Sequence, residues 1–187
     1  MNSRISSRTL RLVWAAVCLA LALVLPFLTG QIPEIGSKLC PMHLPVLLCG
    51  FLCGPVWGMA VGFVAPLLRT LLFSMPPFPQ VAVPMAFELL AYGGVAGLCY
   101  NLLPKKKVFL WVDLVIAMIA GRIVGVLAKL VCVGLLGMKG NIAVAALFAS
   151  YVTDTIPGII VQIILIPLIV IALKKAGLVP VEPKDKK

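Results

Sequence analysis

The sequence predicts an all-α membrane protein of six transmembrane helices in one compact bundle. Three observations predict it. The 187 residues are 62% hydrophobic and only 12% charged, with a mean hydropathy of +1.15. An ordinary soluble domain is about 45–50% apolar and about 25% charged. The apolar residues fall into helix-length runs, and the basic residues flank those runs. At ~20 residues per crossing plus short loops, the length accommodates five to seven helices and leaves no room for a soluble catalytic or nucleotide-binding domain.

Span one covers residues 10–29. Its basic start and apolar run Leu12–Leu28 have the look of a signal peptide, but no small-x-small cleavage site follows. Pro26-Phe27-Leu28-Thr29-Gly30 reads as the end of a retained helix. Span two covers 43–53 and is short for a full crossing, so tilt, an earlier start or shielding by neighbouring helices is expected. Gly54-Pro55-Val56 forms a tight turn into span three, residues 57–73. A Pro-rich turn, Met75–Pro79, leads to span four, residues 81–103. Spans five and six follow at 109–136 and 149–173. Residues 1–176 read as one domain, and 177–187 as a mobile basic tail.

The net charge of +10 does not indicate nucleic acid, because of where the cations lie. Arg4/Arg8/Arg11, Lys105/Lys106/Lys107 and Lys174/Lys175 with Lys184/Lys186/Lys187 all border apolar runs. With both termini cytoplasmic, every cluster falls on the cytoplasmic side, as the positive-inside rule requires. An odd number of spans would expose one terminal cluster. Five of the six cysteines (18, 40, 49, 53, 99, 132) lie in apolar runs, where cysteine behaves as a small hydrophobe. No metal site and no cofactor is expected.

The 58 residues from His43 to Tyr100 hold two formal charges, Arg69 and Glu88, each inside an apolar run. A charge in hydrocarbon costs roughly 2.5–3.5 kcal/mol on insertion scales, so such residues pair or meet a ligand. The topology puts both in the outer half. Arg122, Lys129, Asp154 and Gln162 join them from spans five and six, with Lys139 and Asn141 in the loop above and His43 at the mouth of span two. Arg69–Glu88 and Lys129–Asp154 read either as ion pairs fixing helix register or as the lining of an outward-open cavity. Several paired charges are an expensive way to hold helices together, which favours a polar-solute site. The surplus of cations suits a carboxylate or phosphate, which arginine grips bidentately. Tyr92 is among the few aromatics on that side. No nucleophile, oxyanion arrangement or metal set accompanies these residues, so no enzyme is expected. Small residues four apart, at Ala16/Ala20, Gly58/Gly62, Gly93/Gly97 and Gly121/Gly125, permit close helix approach.

The Ala16/Ala20 pair, the LPVLLCGFLCGPVWG turn (Leu44–Gly58), Arg69 followed by Met75-Pro76-Pro77, and MAFELLAYGGVAGLCY (Met85–Tyr100) carry a resemblance over about Leu12–Leu173. The chain resembles the substrate-binding (S) component of an energy-coupling factor (ECF) vitamin transporter. The resemblance implies a six-helix protein of the bacterial plasma membrane that binds one small water-soluble nutrient. Pantothenate or another B-vitamin is the kind expected. It further implies a membrane coupling subunit, which Ala16 and Ala20 would meet, and two cytoplasmic ATPases. The absence of a Walker A pattern in the chain agrees with ATP hydrolysis supplied in trans. The alternative reading is a stand-alone proton-coupled secondary transporter using Glu88 or Asp154 as a relay. Against it, no inverted repeat is evident.

Overall fold

In hydrocarbon every backbone amide must be satisfied within its own segment, so apolar runs of this length fold as helices. The structure, a computed structural model, describes residues 7–28, 38–103, 107–134, 137 and 155–179. Six helices account for most of them: α1 Ser7–Leu28, α2 His43–Cys53, α3 Pro55–Phe73, α4 Ala82–Leu102, α5 Lys107–Gly134 and α6 Ile156–Lys175. No strand occurs among the described residues. All the helices except α2 are long and apolar enough to cross a bilayer. These helices overlap the six predicted spans, and Asp154 and the first residues of span six lie outside the described residues.

The helices run up and down, so the bundle has two distinct ends. The upper end carries the last turns of α1, α3 and α5, residues 74–81, and the first turns of α2 and α6. The lower end carries Gly54, the start of α1, the α4–α5 connection and the end of α6. Arg8, Arg11, Lys107, Lys174 and Lys175 all belong to the lower end.

The joint between α2 and α3 is tighter than the three-residue turn the sequence suggested. Gly54 alone makes it, with φ +93°, a conformation that glycine adopts without steric cost. Pro55 then occupies the first helical position of α3, where its missing N–H is not needed.

With only 11 residues, α2 is too short to cross alone, and every residue but Leu44 is buried. A helix apolar on all sides belongs inside a bundle, and α2 sits there, enclosed by α1, α3 and α4. The shielding by neighbours expected for span two is what the fold provides. Val46, Leu47, Phe51 and Leu52 of α2 form the core with Leu89 and Ala96 of α4, Leu114 and Ala117 of α5, and Ile166 and Val170 of α6.

Helix α4 is the most enclosed of the five long helices. Its seam with α3 is made by glycine. A Cβ on Gly58 would run into the backbone of Gly93, one on Gly62 into Leu89, and one on Gly97 into Pro55. Two of the small-residue pairs seen in the sequence, 58/62 and 93/97, thus face each other and let the backbones touch, as small residues do in membrane bundles.

At the lower end Tyr100 packs edge-on against Phe51, with centroids 5.5 Å apart, and Lys174 Nζ lies 4.9 Å from the Tyr100 ring centre. The Cys53 thiol donates to the Arg11 carbonyl at 3.5 Å. The Cys49 thiol of α2 meets those of Cys18 of α1 and Cys53 of its own helix. Among the described residues no His, Cys, Asp and Glu cluster suits a metal ion.

Candidate functional site

The other face of α4 is built differently. Glu88 and Tyr92 lie one residue before Leu89 and Gly93, about 100° round the helix, and they face α5 instead of α3. Gly121 and Gly125 of α5 receive them. A Cβ at Gly121 would strike the Tyr92 ring, and one at Gly125 would come within 3.0 Å of Glu88 Cγ and Cδ. The third glycine pair in the sequence therefore makes room for two large polar side chains.

Glu88 is the hub, 3% exposed. Its Oε1 accepts from Arg122 Nη1 at 3.0 Å and, over a longer 3.4 Å, from His43 Nε2. Arg122, 8% exposed, also donates from Nη2 to Thr155 Oγ1 at 2.9 Å. Its guanidinium carbon stands 5.9 Å from the Tyr92 ring centre, and Tyr92 meets the His43 ring edge-to-face at 5.1 Å. His43, on the first turn of α2, is as buried as Glu88. Side chains from α2, α4 and α5 and the residue just before α6 thus converge at the upper end.

A turn at residues 38–42 closes over this cluster. Cys40 holds a left-handed conformation (φ 46°). Its carbonyl accepts both the His43 backbone N–H at 3.0 Å and Gln162 Nε2 at 3.4 Å. Gly158 of α6 abuts the carbonyls of Lys38 and Leu39 so closely that a Cβ would stand 2.7 Å away. Burial pushes the Cys40 thiol up to about 11, against the pull of the neighbouring Arg122, so it stays protonated near neutrality and unreactive as a nucleophile.

The structure distributes the sequence-derived candidates unevenly. His43, Glu88, Tyr92, Arg122 and Gln162 come together. Lys129 lies two turns above Arg122 on α5 and donates to the Gln80 carbonyl at 2.6 Å, at the rim. Arg69 stands apart. It makes no ion pair with Glu88, which belongs to Arg122 and His43. Its Nη1 donates to the Leu23 carbonyl of α1 at 2.6 Å, and its guanidinium carbon lies 5.0 Å from the Phe27 ring centre and 5.6 Å from that of Phe73. Arg69 and Glu88 flank one turn in sequence but point to opposite neighbours, α1 and α5. Asp154, Asn141 and Lys139 lie outside the described residues, and with them the Lys129–Asp154 pairing.

Two buried polar residues escaped the sequence reading. Thr155 gave no signal, since threonine is tolerated in apolar helices. Asp113 did give one, an acid within an apolar run, yet it lies two turns above the lower end of α5, buried and remote from the upper cluster. Ala16 and Ala20 are exposed on α1, whose inward face is Ala15, Cys18 and Ala22.

In the protein-family comparison, the model of the ECF transporter substrate-specific component matches residues 10–170. The chain belongs to that family. Comparison with curated proteins and with solved structures gives no match.

As a substrate-specific component, the protein is a transporter subunit and not an enzyme, and it is an integral, multi-pass membrane protein. It is the substrate-binding subunit of its transporter. Components of this family work with a membrane-embedded coupling component and ATPases. The upper cluster can do what such a subunit needs: offer charge-assisted hydrogen bonds in a water-poor setting, with aromatic faces beside them.

Proposed function

We propose that this substrate-specific component binds a small water-soluble vitamin, pantothenate or another B-vitamin, in the cluster formed by His43, Glu88, Tyr92, Arg122 and Gln162. The single observation that carries the reading is the buried Arg122–Glu88–His43 hub. An ionised pair taken out of water costs several kcal/mol per ion in desolvation, of the order that good geometry only just repays. It is costly as mere scaffolding in a bundle already stitched by glycine. Lys129 stands at the rim, where it attracts or orients an entering solute. Asp154 and Asn141, which lie in the sequence between α5 and α6, belong to the same proposal.

The positive-inside rule puts the Arg8/Arg11, Lys107 and Lys174/Lys175 end in the cytoplasm, so the cluster faces outward with both termini inside. Ala16 and Ala20, small and exposed on α1, offer the coupling component a flat face for close approach. The two cytoplasmic ATPases complete the importer. This topology and these contacts are part of the same proposal.

The test is direct. The purified chain is screened against B-vitamins by thermal shift and calorimetry. Saturable binding with sub-micromolar affinity, weakened by Glu88→Ala, supports the reading. No binding across the panel overturns it. Ala16→Trp with Ala20→Trp leaves vitamin affinity unchanged but abolishes co-purification with the coupling module. Retained co-purification removes the docking assignment.

A further inference from the structure

Resting on the proposed nutrient-binding function, we infer that the solute is read by acceptors: His43 Nδ1 and Glu88 Oε2 take hydroxyl or N–H donors that the solute must supply. The Glu88 carboxylate is engaged on one side only. Both of its protein partners, Arg122 Nη1 and His43 Nε2, converge on Oε1. Oε2 has no hydrogen-bond partner among the described residues. It stands 3.1 Å from the point where a Cβ on residue 125 would sit, so any larger residue there would crowd it.

The same contact assigns the histidine. A carboxylate only accepts, so the ring nitrogen facing it, Nε2, carries the hydrogen. In the neutral ring Nδ1 is then a lone-pair acceptor. It is buried, and no hydrogen-bond partner reaches it among the described residues. Tyr92, edge-to-face at 5.1 Å, holds the ring in that orientation. Buried acceptors are nearly always satisfied in native proteins, and this unspent one belongs to a residue already joined to Glu88.

Two donor residues of the cluster already serve protein acceptors. Arg122 gives Nη1 to Glu88 and Nη2 to Thr155, and Gln162 gives Nε2 to the Cys40 carbonyl. A solute bearing only acceptors would set lone pairs against Oε2 and Nδ1 and leave both unmatched. A solute with hydroxyl or N–H groups completes the cluster without breaking anything. Failure to match buried hydrogen-bonding groups is what gives such sites large discrimination.

The experiment ranks solutes on the full-length protein. Pantothenate and pyridoxine carry hydroxyl donors; nicotinate and lipoate, as anions, carry none. Calorimetry should show a donor-bearing vitamin binding at least 100-fold more tightly than either donor-free acid. His43→Phe should weaken that vitamin at least tenfold while the unfolding temperature of the ligand-free protein holds or rises, because a buried unmatched nitrogen is removed. Nicotinate or lipoate ranking first, or His43→Phe leaving affinity within twofold, overturns the inference while the nutrient-binding function stands. The ranking on the unaltered protein decides the matter even where the variant does not fold. Absence of binding by every vitamin removes the function and the inference together.

Discussion

Helix α4 presents two seams that use the same residue type to opposite ends. Toward α3, glycines stand on both helices, and their backbones meet at Gly58 and Gly93. Toward α5, glycines stand on one helix only, and the space left by Gly121 and Gly125 is filled by Tyr92 and Glu88 of α4. The first seam is contact and the second is room. In a bilayer, where helices gain little from hiding apolar surface from lipid, close approach supplies cohesion. The cost of burying Glu88 and Arg122 is carried next door to the tightest packing in the molecule.

The largest effect should come from breaking the α3 seam. Gly93→Leu forces side-chain atoms into the Gly58 backbone, which cannot yield, and overpacking already costs about 1–3 kcal/mol where neighbours can move. We expect no monodisperse protein by size exclusion. Recovery of a folded variant with ordinary thermal stability would show the seam to be loose. Next comes Glu88→Gln in the α5 seam. The charge-assisted bond to Arg122 is lost, and vitamin affinity should fall about 100-fold, roughly 3 kcal/mol, as read by calorimetry. An unchanged affinity would reduce the hub to a structural pair. Gly125→Ala sharpens the contrast, because its Cβ meets a flexible carboxylate and not backbone. The fold should survive, with binding weakened about tenfold. Loss of folding would mean that both seams are contact.

The smallest effect on binding belongs to Arg69→Ala. That guanidinium braces α3 to α1 through one carbonyl and two phenyl rings, so vitamin affinity should stay within twofold. Removing the brace should cost about 1 kcal/mol, a lowering of the unfolding temperature by a few degrees. A tenfold loss of affinity would bring Arg69 back to the solute.

These two seams also mark where the sequence could be read and where it could not. The helices and the segregation of cations to one end were legible, because hydrophobic length and basic flanks report directly on the bilayer. The partners of Arg69 and Glu88 were not. An amphipathic helix announces its inward face by periodicity, but α3 and α4 are apolar almost all round, so nothing in the pattern says that Arg69 turns to α1 and Glu88 to α5. Nearness across the Pro-rich turn suggested a pair that the helical faces forbid. The glycine pairs were visible as spacings, yet only the structure separates those that touch from those that make space. Thr155 had no signature, and Asp113 had one that the concentration of charges elsewhere obscured.

The shortness of α2 has an electrical consequence. Its 11 residues rise about 16 Å from the lower-end joint, roughly half of a ~30 Å hydrocarbon core. With that joint at the cytoplasmic edge of the core, His43 at its tip would stand about halfway through the membrane field. A solute arriving there with one uncompensated charge crosses about half of the potential, roughly 1 kcal/mol at 100 mV. Its affinity would then depend on whether the cell is energised. A solute that brings hydroxyl hydrogens and no unmatched charge is held equally well in a polarised and in a depolarised membrane.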